Sequence, residues 1–281
     1  MDVGGEWPVT PELPPVPRSG DGTLSSVRNA ARVLAAFTPA DRDVGVTELA
    51  ERLGLAKSTV HRLLSALVSE GLIERSGTRG RYRIGLRLYE LGAMAPSRAD
   101  LHLVAVGPID DLLARTGESV HVAVLDGSDV VAIDRREAPT TLRLVSRLGY
   151  RHPAHATSAG KALLAYLSLS ERSALFEGRE LAGLTQHTIT DRARLEEELA
   201  KVRSRGWAET IHEHELGIAS VAAPIRDARG RVVAAVGVVG PSARFGRENV
   251  RRLSLETIRT AEAISARLGY RARQTGVRAG R

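Results

Sequence analysis

The chain holds 281 residues, of which 43% are hydrophobic and 26% are charged, and its formal net charge is +7. This length exceeds the usual size of one domain, and the composition is too apolar for a wholly disordered chain, so we expect two folded domains of unequal size. The absence of cysteine excludes disulfide bonds, thiolate metal sites and cysteine nucleophiles, and the apolar runs fall far short of the about 20 residues that cross a bilayer.

Both ends of the chain are predicted to be tails. Residues 1–23 are rich in proline and lack the basic start and apolar stretch of a secretory signal, which predicts a disordered tail on a cytoplasmic protein. Residues 271–281 hold four arginines and no acidic residue, so we expect a basic tail. Residues 25–91 carry eleven basic against seven acidic side chains. This placement of charge is compatible with a polyanionic partner.

The first predicted helix covers residues 25–37. A serine at its start, Ser25 or Ser26, is a plausible N-cap, and the helix ends near Phe37 because a proline follows. Its predicted buried face is spaced i, i+4, i+7 and consists of Val27, Ala31 and Leu34.

A second, shorter helix is predicted from Thr47, as N-cap, to Gly54. Glu48 and Glu51 lie near its positive end, which favours carboxylates. Its buried side chains are expected to be Leu49 and Leu53. A helix this short is typical of one that supports another.

The third helical pattern, STVHRLLSALVSEG, follows a brief turn and has a continuous apolar stripe. The stripe consists of Val60, Leu63, Leu64, Leu67 and Val68. Polar side chains are left pointing outward at its N-terminal end, namely Lys57, Ser58, Thr59, His61 and Arg62. Hydroxyl, imidazole, ammonium and guanidinium groups can hydrogen-bond base edges and phosphates, so this pattern predicts a recognition helix for the major groove of DNA.

A hairpin is predicted next, with strands at 72–75 and 81–84 around a glycine-containing loop. Arg79, Arg81 and Arg83 lie at its tip and second strand, so it can act as a wing on the sugar-phosphate backbone, with Arg79 and Arg81 on phosphates. Three helices and a basic hairpin predict a winged helix-turn-helix domain over 24–84. The alternative is a small helical protein-interaction domain whose outward polar residues are solvated.

The following segment, 85–99, is predicted to be a linker containing an apolar helix. So much apolar surface needs a partner, and helix-turn-helix proteins commonly bind two half-sites as dimers, so we expect this helix to self-associate. The alternative is that it packs on its own wing or on the next domain.

Residues 100–270 alternate helical and β-rich patterns and predict an α+β domain with a mainly antiparallel sheet flanked by helices. Helices are predicted over 101–116, 158–168, 170–178, 191–205 and 247–268. The β-rich runs cover 119–127, 129–136, 140–150, 217–227 and 231–241.

Three separated motifs, in this order, make the chain resemble the IclR-type bacterial transcriptional regulators from about residue 24 to 270. The motifs are VTELAERLGLAKSTVHRLLSALVSEGLIER with GRYRIGLRLYELG, then HPAHATSAGKALLAYL, then GIASVAAPIRDARGRVVAAVGVVGP. The resemblance implies a winged helix joined to a GAF-like effector domain, in a protein that works as a homodimer or a dimer of dimers.

The resemblance also implies an effector pocket between the sheet and the loop before the AGKALL helix. The residues that match it are Ser158, Ala159, Ser220, Gly237 and Val239. One family member that holds a small carboxylate carries hydroxyls where this chain has Gly237 and Val239, so the resemblance implies a roomier and less polar pocket here. Thr157, His121 and Arg143 are the candidates to orient a ligand there.

Other chemistry has weaker support in the sequence. A phosphate loop fails because His155 and Ala162 stand where the motif needs glycine and Ser or Thr, and no G-x-S-x-G or HExxH motif occurs. His212 and His214 would share a face in an extended segment and, with His121, His152 or His155, could ligate a metal. No clear third ligand accompanies them, so we expect no metal and no cofactor.

These patterns together predict a ligand-responsive transcriptional repressor whose partners are double-stranded operator DNA, a small-molecule effector and further copies of itself. An activator of the same family is the near alternative. A small-molecule-binding enzyme with a helical appendage is the more distant one.

Overall fold

A computed structural model describes residues 25–38, 41–78, 80–93, 98–139, 149 and 151–271. The chain divides into two compact units, Met1–Pro96 and Ser97–Arg281, and the division falls within the predicted linker. Several predicted features lie outside the described residues. They are the N-terminal tail, the basic tail beyond Arg271, the β-rich run at 140–150 apart from Gly149, and the site candidates Arg79 and Arg143. No helix in the described part is long and apolar enough to cross a membrane.

The first unit contains the predicted helices and hairpin. Its elements are α1 (Ser25–Ala35), β1 (Val44–Gly45), α2 (Val46–Leu53), α3 (Lys57–Ser69), β2 (Ile73–Arg75), β3 (Arg81–Ile84) and α4 (Leu86–Ala93). The three strands form an antiparallel sheet in the order β1-β3-β2, in which Val44 pairs with Tyr82. The sequence did not predict β1, because two residues are too short to show a period.

The core of this unit confirms the predicted faces of α2 and α3. Leu49 and Leu53 of α2 are buried against Val60 and Leu64 of α3, and Ile73 of β2 joins them. This packing holds α2 and α3 across a turn of three residues, 54–56, in which Gly54 takes the left-handed conformation (φ 64°) that ends α2. α3 is therefore fixed by its apolar stripe, and its polar side faces outward.

The predicted buried face of α1 is confirmed at Leu34, which packs against the core, but is wrong at Val27 and Ala31. Val27 is 58% exposed and Ala31 is exposed, whereas Val33 is completely buried. The face that packs is spaced i, i+3, i+4, i+7 from Ala30 and ends at Phe37, so it carries larger apolar side chains than the face first predicted.

The start of α2 also differs from the prediction. Thr47 is not the N-cap, because the helix begins at Val46 and the cap is Gly45. The carboxylate of Glu48 accepts a hydrogen bond from the backbone N–H of Gly45 at 3.5 Å. This is the contact that the third helical residue makes in a capping box.

The second unit is α+β, as predicted. Its helices are α5 (Arg98–Thr116), α6 (Ser158–Leu164), α7 (Leu169–Phe176), α8 (Arg192–Arg205) and α9 (Arg247–Arg267). Its strands are β4 (Ser119–Asp126), β5 (Asp129–Arg136), β6 (Arg151–Pro153), β7 (Ala208–Ile211), β8 (Ile218–Arg226) and β9 (Val232–Pro241). They form one antiparallel sheet in the order β6-β5-β4-β9-β8-β7.

Helices cover both faces of this sheet. α5 and α9 pack on one face, and α6 with α8 packs on the other. Alternate residues of a strand consequently enter two different cores, as Val221 and Ala222 of β8 do. Because both faces are covered, β8 and β9 are almost continuously apolar, and a polar side chain on either strand is conspicuous.

A proline inside α5 is compensated by α9. Pro108 has no N–H, so the carbonyl of Val104 loses its helical hydrogen bond. Arg267 of α9 donates to that carbonyl from Nη1 at 3.1 Å. This contact joins the two helices on one face of the sheet.

The position of α1 can be tested with two valine truncations. Val33→Ala should lower the free energy of unfolding by about 2 kcal/mol, because it removes two buried methyl groups and leaves a cavity. Val27→Ala should change it by less than about 0.5 kcal/mol, since that side chain is mostly exposed. Urea unfolding followed by far-ultraviolet circular dichroism measures both. Equal losses for the two variants would contradict the burial of Val33.

Candidate nucleic-acid interface and ligand site

The N-terminal half of α3 presents the polar group predicted from the sequence. The side chains of this group are all exposed, namely Lys57, Ser58, Thr59, His61 and Arg62. Beneath them, Val60 and Leu64 are completely buried. The helix N-cap, Ala56, has no side chain to bond the first-turn amides, so these N–H groups also face outward. The surface thus combines donors in several geometries at the positive end of a helix.

Charge on this surface is available to an external partner. No ion pair holds Lys57 or Arg62 within the described residues. Arg75, at the end of β2, is likewise exposed and in no ion pair within the same ranges. Sequence reasoning did not select Arg75, although its place at the loop end of the hairpin could have suggested it.

The described wing arginines are held inside their own unit. Arg81 donates to the carbonyl of Asp43 from Nε at 2.9 Å, and its Nη2 lies 3.3 Å from Oε2 of Glu48. Glu48 also pairs with Arg52 at 2.5 Å, so the wing is tied to α2. Arg83 pairs with Glu74 across the hairpin at 2.6 Å. Nε and Nη2 of Arg81 are thus engaged while its side chain remains 42% exposed, so this network helps to position the wing and the phosphate contact of Arg81 stays a prediction.

In the second unit, the start of α6 is buried against the sheet. Thr157 caps the helix, because its Oγ1 accepts the N–H of Gly160 at 3.1 Å. Ser158 and Ala159 are each 1% exposed. The hydroxyl of Ser158 has no hydrogen-bond partner among the described residues, which is unusual for a buried polar atom.

Gly237 lies on the same face of the sheet, but the space beside it is filled. A Cβ atom there would lie 2.9 Å from Cε1 of His121 and 2.8 Å from the carbonyl of Val221. The expected roomier pocket is therefore wrong at this position, because the imidazole of His121 occupies the space that the missing side chain leaves. Ser220, on the neighbouring strand, bonds the hydroxyl of Thr210 at 2.7 Å, and Val239, paired with Ser220, is partly exposed.

The structure brings three imidazoles and a guanidinium together on this face. Arg135 of β5 stands directly opposite His121 of β4, and its side chain is 7% exposed. His152 of β6 meets His214 edge to face, with ring centroids 4.4 Å apart. Burial and then the charge of Arg135 lower the pKa of His121 to about 4. Burial, followed by His214, His121 and Arg135, lowers the pKa of His152 to about 4.

A buried ion pair holds the loop that carries His214. Lys161 of α6 is 1% exposed, and its Nζ lies 2.5 Å from Oε1 of Glu213. Burial raises the pKa of Glu213, and Lys161 opposes that rise. Thr185 and Thr188 donate to the carbonyls of residues 212 and 213, at 2.6 Å in each case. Sequence reasoning missed Arg135, Lys161 and Glu213; the lysine within the apolar run SAGKALL was the available signal.

The histidines do not assemble as the metal alternative requires. The chain is not extended at 212–217, and His212 has a positive φ of 63°. Its Nδ1 accepts the N–H of Gly217, while His214 turns towards His152 and His155 bonds the carbonyl of Ala182. Within the described ranges, no group of three or more ligand-type side chains has metal-binding geometry.

A cleft of about 420 Å³ lies away from these residues, between α5 and α9. Its walls include Arg115 and Arg259, which pair with Glu256 at 2.7 Å and 2.9 Å. Two of the arginines in this cleft thus share one carboxylate, and the cleft lies on the opposite face of the sheet from His121.

Two family models match the chain in the order of its two units. Residues 26–77 match the IclR helix-turn-helix domain, and residues 93–266 match the bacterial transcriptional regulator IclR C-terminal domain.

Individual proteins are similar over nearly the same length. The HTH-type transcriptional regulator XynR of Escherichia coli is 33% identical over 88% of this chain and 98% of its own length. The transcriptional repressor IclR of E. coli is 30% identical over 88% of this chain and 91% of its own. The crystal structure of an IclR homolog of Microbacterium hydrocarbonoxydans, complexed with 4-hydroxybenzoate, covers 86% of this chain and 98% of its own, with a TM-score of 0.76 and 27% identity.

The buried imidazoles predict an acid-sensitive second unit. In the unfolded chain these side chains bind protons below pH 6.5, but in the folded protein His121 and His152 do so only near pH 4. The unfolded state therefore binds more protons between these values, and stability falls as the pH falls from about 6.5 to about 4. His121→Asn should reduce the slope of the unfolding free energy against pH in this range, by up to about the contribution of one bound proton. Urea unfolding at several pH values measures it, with the exposed His187→Asn as the control that should leave the pH slope unchanged.

Proposed function

The chain belongs to the IclR family of bacterial DNA-binding transcriptional regulators, and on that basis we propose that it is a repressor whose operator binding is modulated by a small-molecule metabolite. Its homologues are regulators rather than enzymes, so the enzyme alternative is wrong. The repressor role is supported by similarity to a relative named as a repressor. A DNA-binding role supports a cytoplasmic location as part of the same proposal. The observation that carries the proposal is the exposed polar half of α3 above its buried stripe.

In this proposal α3 enters the major groove by its N-terminal turns. Arg62 and His61 read base edges, and Lys57, Ser58 and Thr59 contact the backbone near the helix start, where amide groups also favour phosphate. Arg81 holds the hairpin against α2, and exposed Arg75 supplies charge to the adjacent backbone. In this proposal α3 makes the base contacts, and the hydrogen-bond and ion-pair network of Arg81 positions the wing.

The second unit acts as the sensor in this proposal. A relative of 27% identity was crystallised with 4-hydroxybenzoate, and the equivalent unit here contains the buried polar cluster around His121 and Arg135. Ligand binding can change operator affinity only through a difference in affinity between two arrangements of the protein. We propose that these arrangements differ in the separation of two winged-helix units in a dimer, so that one of them matches the spacing of the operator half-sites.

Self-association is proposed to use α4. Its side chains include large apolar groups that remain solvent-exposed, with Leu86 68%, Tyr89 74% and Leu91 45% exposed, and Ile84 just before it is 42% exposed. Such a concentration of apolar surface on eight residues favours contact with the same helix of a second copy. Leu88 of the same helix is only partly buried, so contacts with its own unit cover a small part of the apolar surface of α4.

Two arginine substitutions distinguish a side chain that contacts DNA bases from one that positions the wing. Arg62→Ala should weaken binding to the chain's own upstream DNA by tenfold to a hundredfold, corresponding to about 1–3 kcal/mol for a lost base contact. Arg81→Ala should weaken binding with the salt dependence unchanged, because its guanidinium is engaged inside the unit. Gel shifts over a series of salt concentrations measure both, and exposed Arg231→Ala in the second unit is the control.

A direct phosphate contact by Arg81 would give a different result. Loss of one phosphate contact lowers the slope of log K against log salt by about 0.9. That decrease in Arg81→Ala would overturn the positioning role. Wild-type affinity in Arg62→Ala would show that α3 does not read this DNA through Arg62.

The dimer contact can be tested with charges on α4. The double variant Leu86→Lys and Tyr89→Lys should sediment as a monomer and lose operator affinity, because two buried ammonium groups would oppose association. Leu169→Lys, at an apolar residue 65% exposed in the second unit, is the matched control and should keep the wild-type oligomeric state. An α4 variant that remains an oligomer would exclude this face as the interface.

A further inference from the structure

The positive charge of the chain is concentrated at its C-terminal end. Residues 241–281 contain ten arginines and three acidic side chains, an excess of seven, which equals the formal net charge of the whole chain, +7. The first 240 residues are therefore neutral overall, although they include the unit that contains α3. Within the described part of this basic segment lies α9, whose 21 residues include five arginines and three glutamates. The second unit thus presents one strongly basic helix.

Some arginines of this segment already have partners inside the unit. Arg244 pairs with Glu118 at 2.7 Å, and Arg259 pairs with Glu256 at 2.9 Å. The guanidinium of Arg267 donates to a backbone carbonyl of α5 at 3.1 Å. These side chains hold α9 in place or neutralise its own carboxylates, so they leave little charge for an external partner.

Three arginines near the start of α9 differ from these. Arg247, Arg251 and Arg252 are exposed, and no ion pair holds any of them within the described ranges. Arg252 donates to the side chain of Asn249 at 3.0 Å, which leaves its charge uncompensated. Glu248, on the same two turns, is exposed and also forms no ion pair there, so residues 247–252 keep an excess of two positive charges. We call Arg247, Arg251 and Arg252 the arginine face.

This arrangement works against the stability of α9 itself. Arg247 is the first residue of the helix, at the end where the helix dipole favours anions. Arg251 follows four residues later on the same side, and like charges at this spacing repel each other. The N-cap, Gly246, has no side chain to bond the amides of the first turn. A local cost without compensation in the chain is typical of a surface that serves a partner.

The chemistry of the arginine face favours double-stranded DNA as this partner. A guanidinium binds a phosphate through two parallel hydrogen bonds. Single-stranded nucleic acid fits poorly, because α9 contains no aromatic residue on which bases could stack. A membrane surface also fits poorly, because the apolar side of α9 is buried against the sheet, as Val250 and Leu253 show.

We propose that the arginine face is a second DNA-contacting surface, which binds phosphates of double-stranded DNA and reads no bases. The inference rests on the DNA binding of the proposed function, and it depends neither on the repressor role nor on a ligand. In this arrangement α3 selects the sequence, while α9 adds backbone contacts that strengthen binding to any duplex. The second unit consequently takes part in DNA binding directly as well as through regulation.

A single cysteine gives a direct test on the full-length protein, because the chain has none of its own. Leu255→Cys places a thiol four residues after Arg251, on the same side of α9, at a side chain 51% exposed. Leu169→Cys, at a side chain 65% exposed on α7, is the matched control. Each thiol is labelled with 4-azidophenacyl bromide and illuminated in the presence of the chain's own upstream DNA. The label at position 255 should cross-link to DNA, and the label at position 169 should not.

Removing the charge should then abolish this contact. The double variant Arg247→Gln and Arg251→Gln should lose the cross-link from position 255. Its slope of log K against log salt should also fall by about 1.8, because each lost phosphate contact accounts for about 0.9. Arg194→Gln with Arg229→Gln is the control, since it removes two other exposed arginines of the second unit that form no ion pair among the described residues. The control pair should keep both the cross-link and the slope.

Several results would overturn the proposal. No cross-link from position 255, equal cross-linking from both labelled positions, or an unchanged slope in the α9 double variant would each do so. An equal fall in slope in the control pair would assign the effect to overall charge instead. Vesicles of phosphatidylglycerol that bind wild-type protein but not the α9 double variant, without a DNA cross-link, would identify a membrane as the partner.

The gel shift of the upstream DNA is run on every variant. Wild-type protein that shifts this DNA without a cross-link from position 255 keeps the proposed function and lacks the second surface. Wild-type protein that gives no shift fails in the DNA binding of the proposed function itself. The two failures are therefore distinguishable.

Discussion

The constraint on which the second unit depends is the cover on both faces of its six-stranded sheet. Because α5 and α9 close one face and α6 with α8 closes the other, nearly every side chain of the central strands is removed from water. Under that constraint a buried polar residue must find a partner. On the α5 face Asp134 pairs with Arg136, which also pairs with Asp110 of α5. The α6 face carries a different set of polar groups, namely Arg135, three imidazoles and the hydroxyl of Ser158, so the two faces differ in chemistry although they share strands.

In the first unit the constraint is different, because polar groups of α3 must stay exposed and point in a fixed direction. The apolar stripe of α3 is buried against α2 and β2, which leaves the polar N-terminal turns on the surface without further support. The wing is fixed by apolar packing of Ile73 and Tyr82 in the core and also by electrostatics, because Arg81 joins β3 to the carbonyl of Asp43 and to Glu48. A direct pair between partly exposed side chains is weak by itself, but the shared carboxylate of Glu48 links Arg81 and Arg52 into a network.

Much of the fold could be predicted from the sequence, because its longer elements have strong periods. The apolar stripe of α3 and the apolar runs of β8 and β9 can be recognised from the sequence alone, and the bounds of β5 agree with the predicted run. Short elements could not be predicted: β1 has two residues and β6 has three. The face of α1 was misjudged because two apolar stripes, one starting at Val27 and one at Ala30, fit a helical period, and only tertiary packing chooses between them.

The site was less predictable, for a reason that Gly237 illustrates. From the sequence, a glycine in place of a hydroxyl residue indicates lost polarity and added room. In the structure that room belongs to His121, which pairs across the sheet with Gly237 on one side and with Arg135 on the other. Register between strands distant in sequence decides which polar groups meet, and local periodicity does not report register. The glycine therefore admits an imidazole beside a guanidinium, so the residue that fills this space is decided by the register of three strands and not by the residue type at position 237.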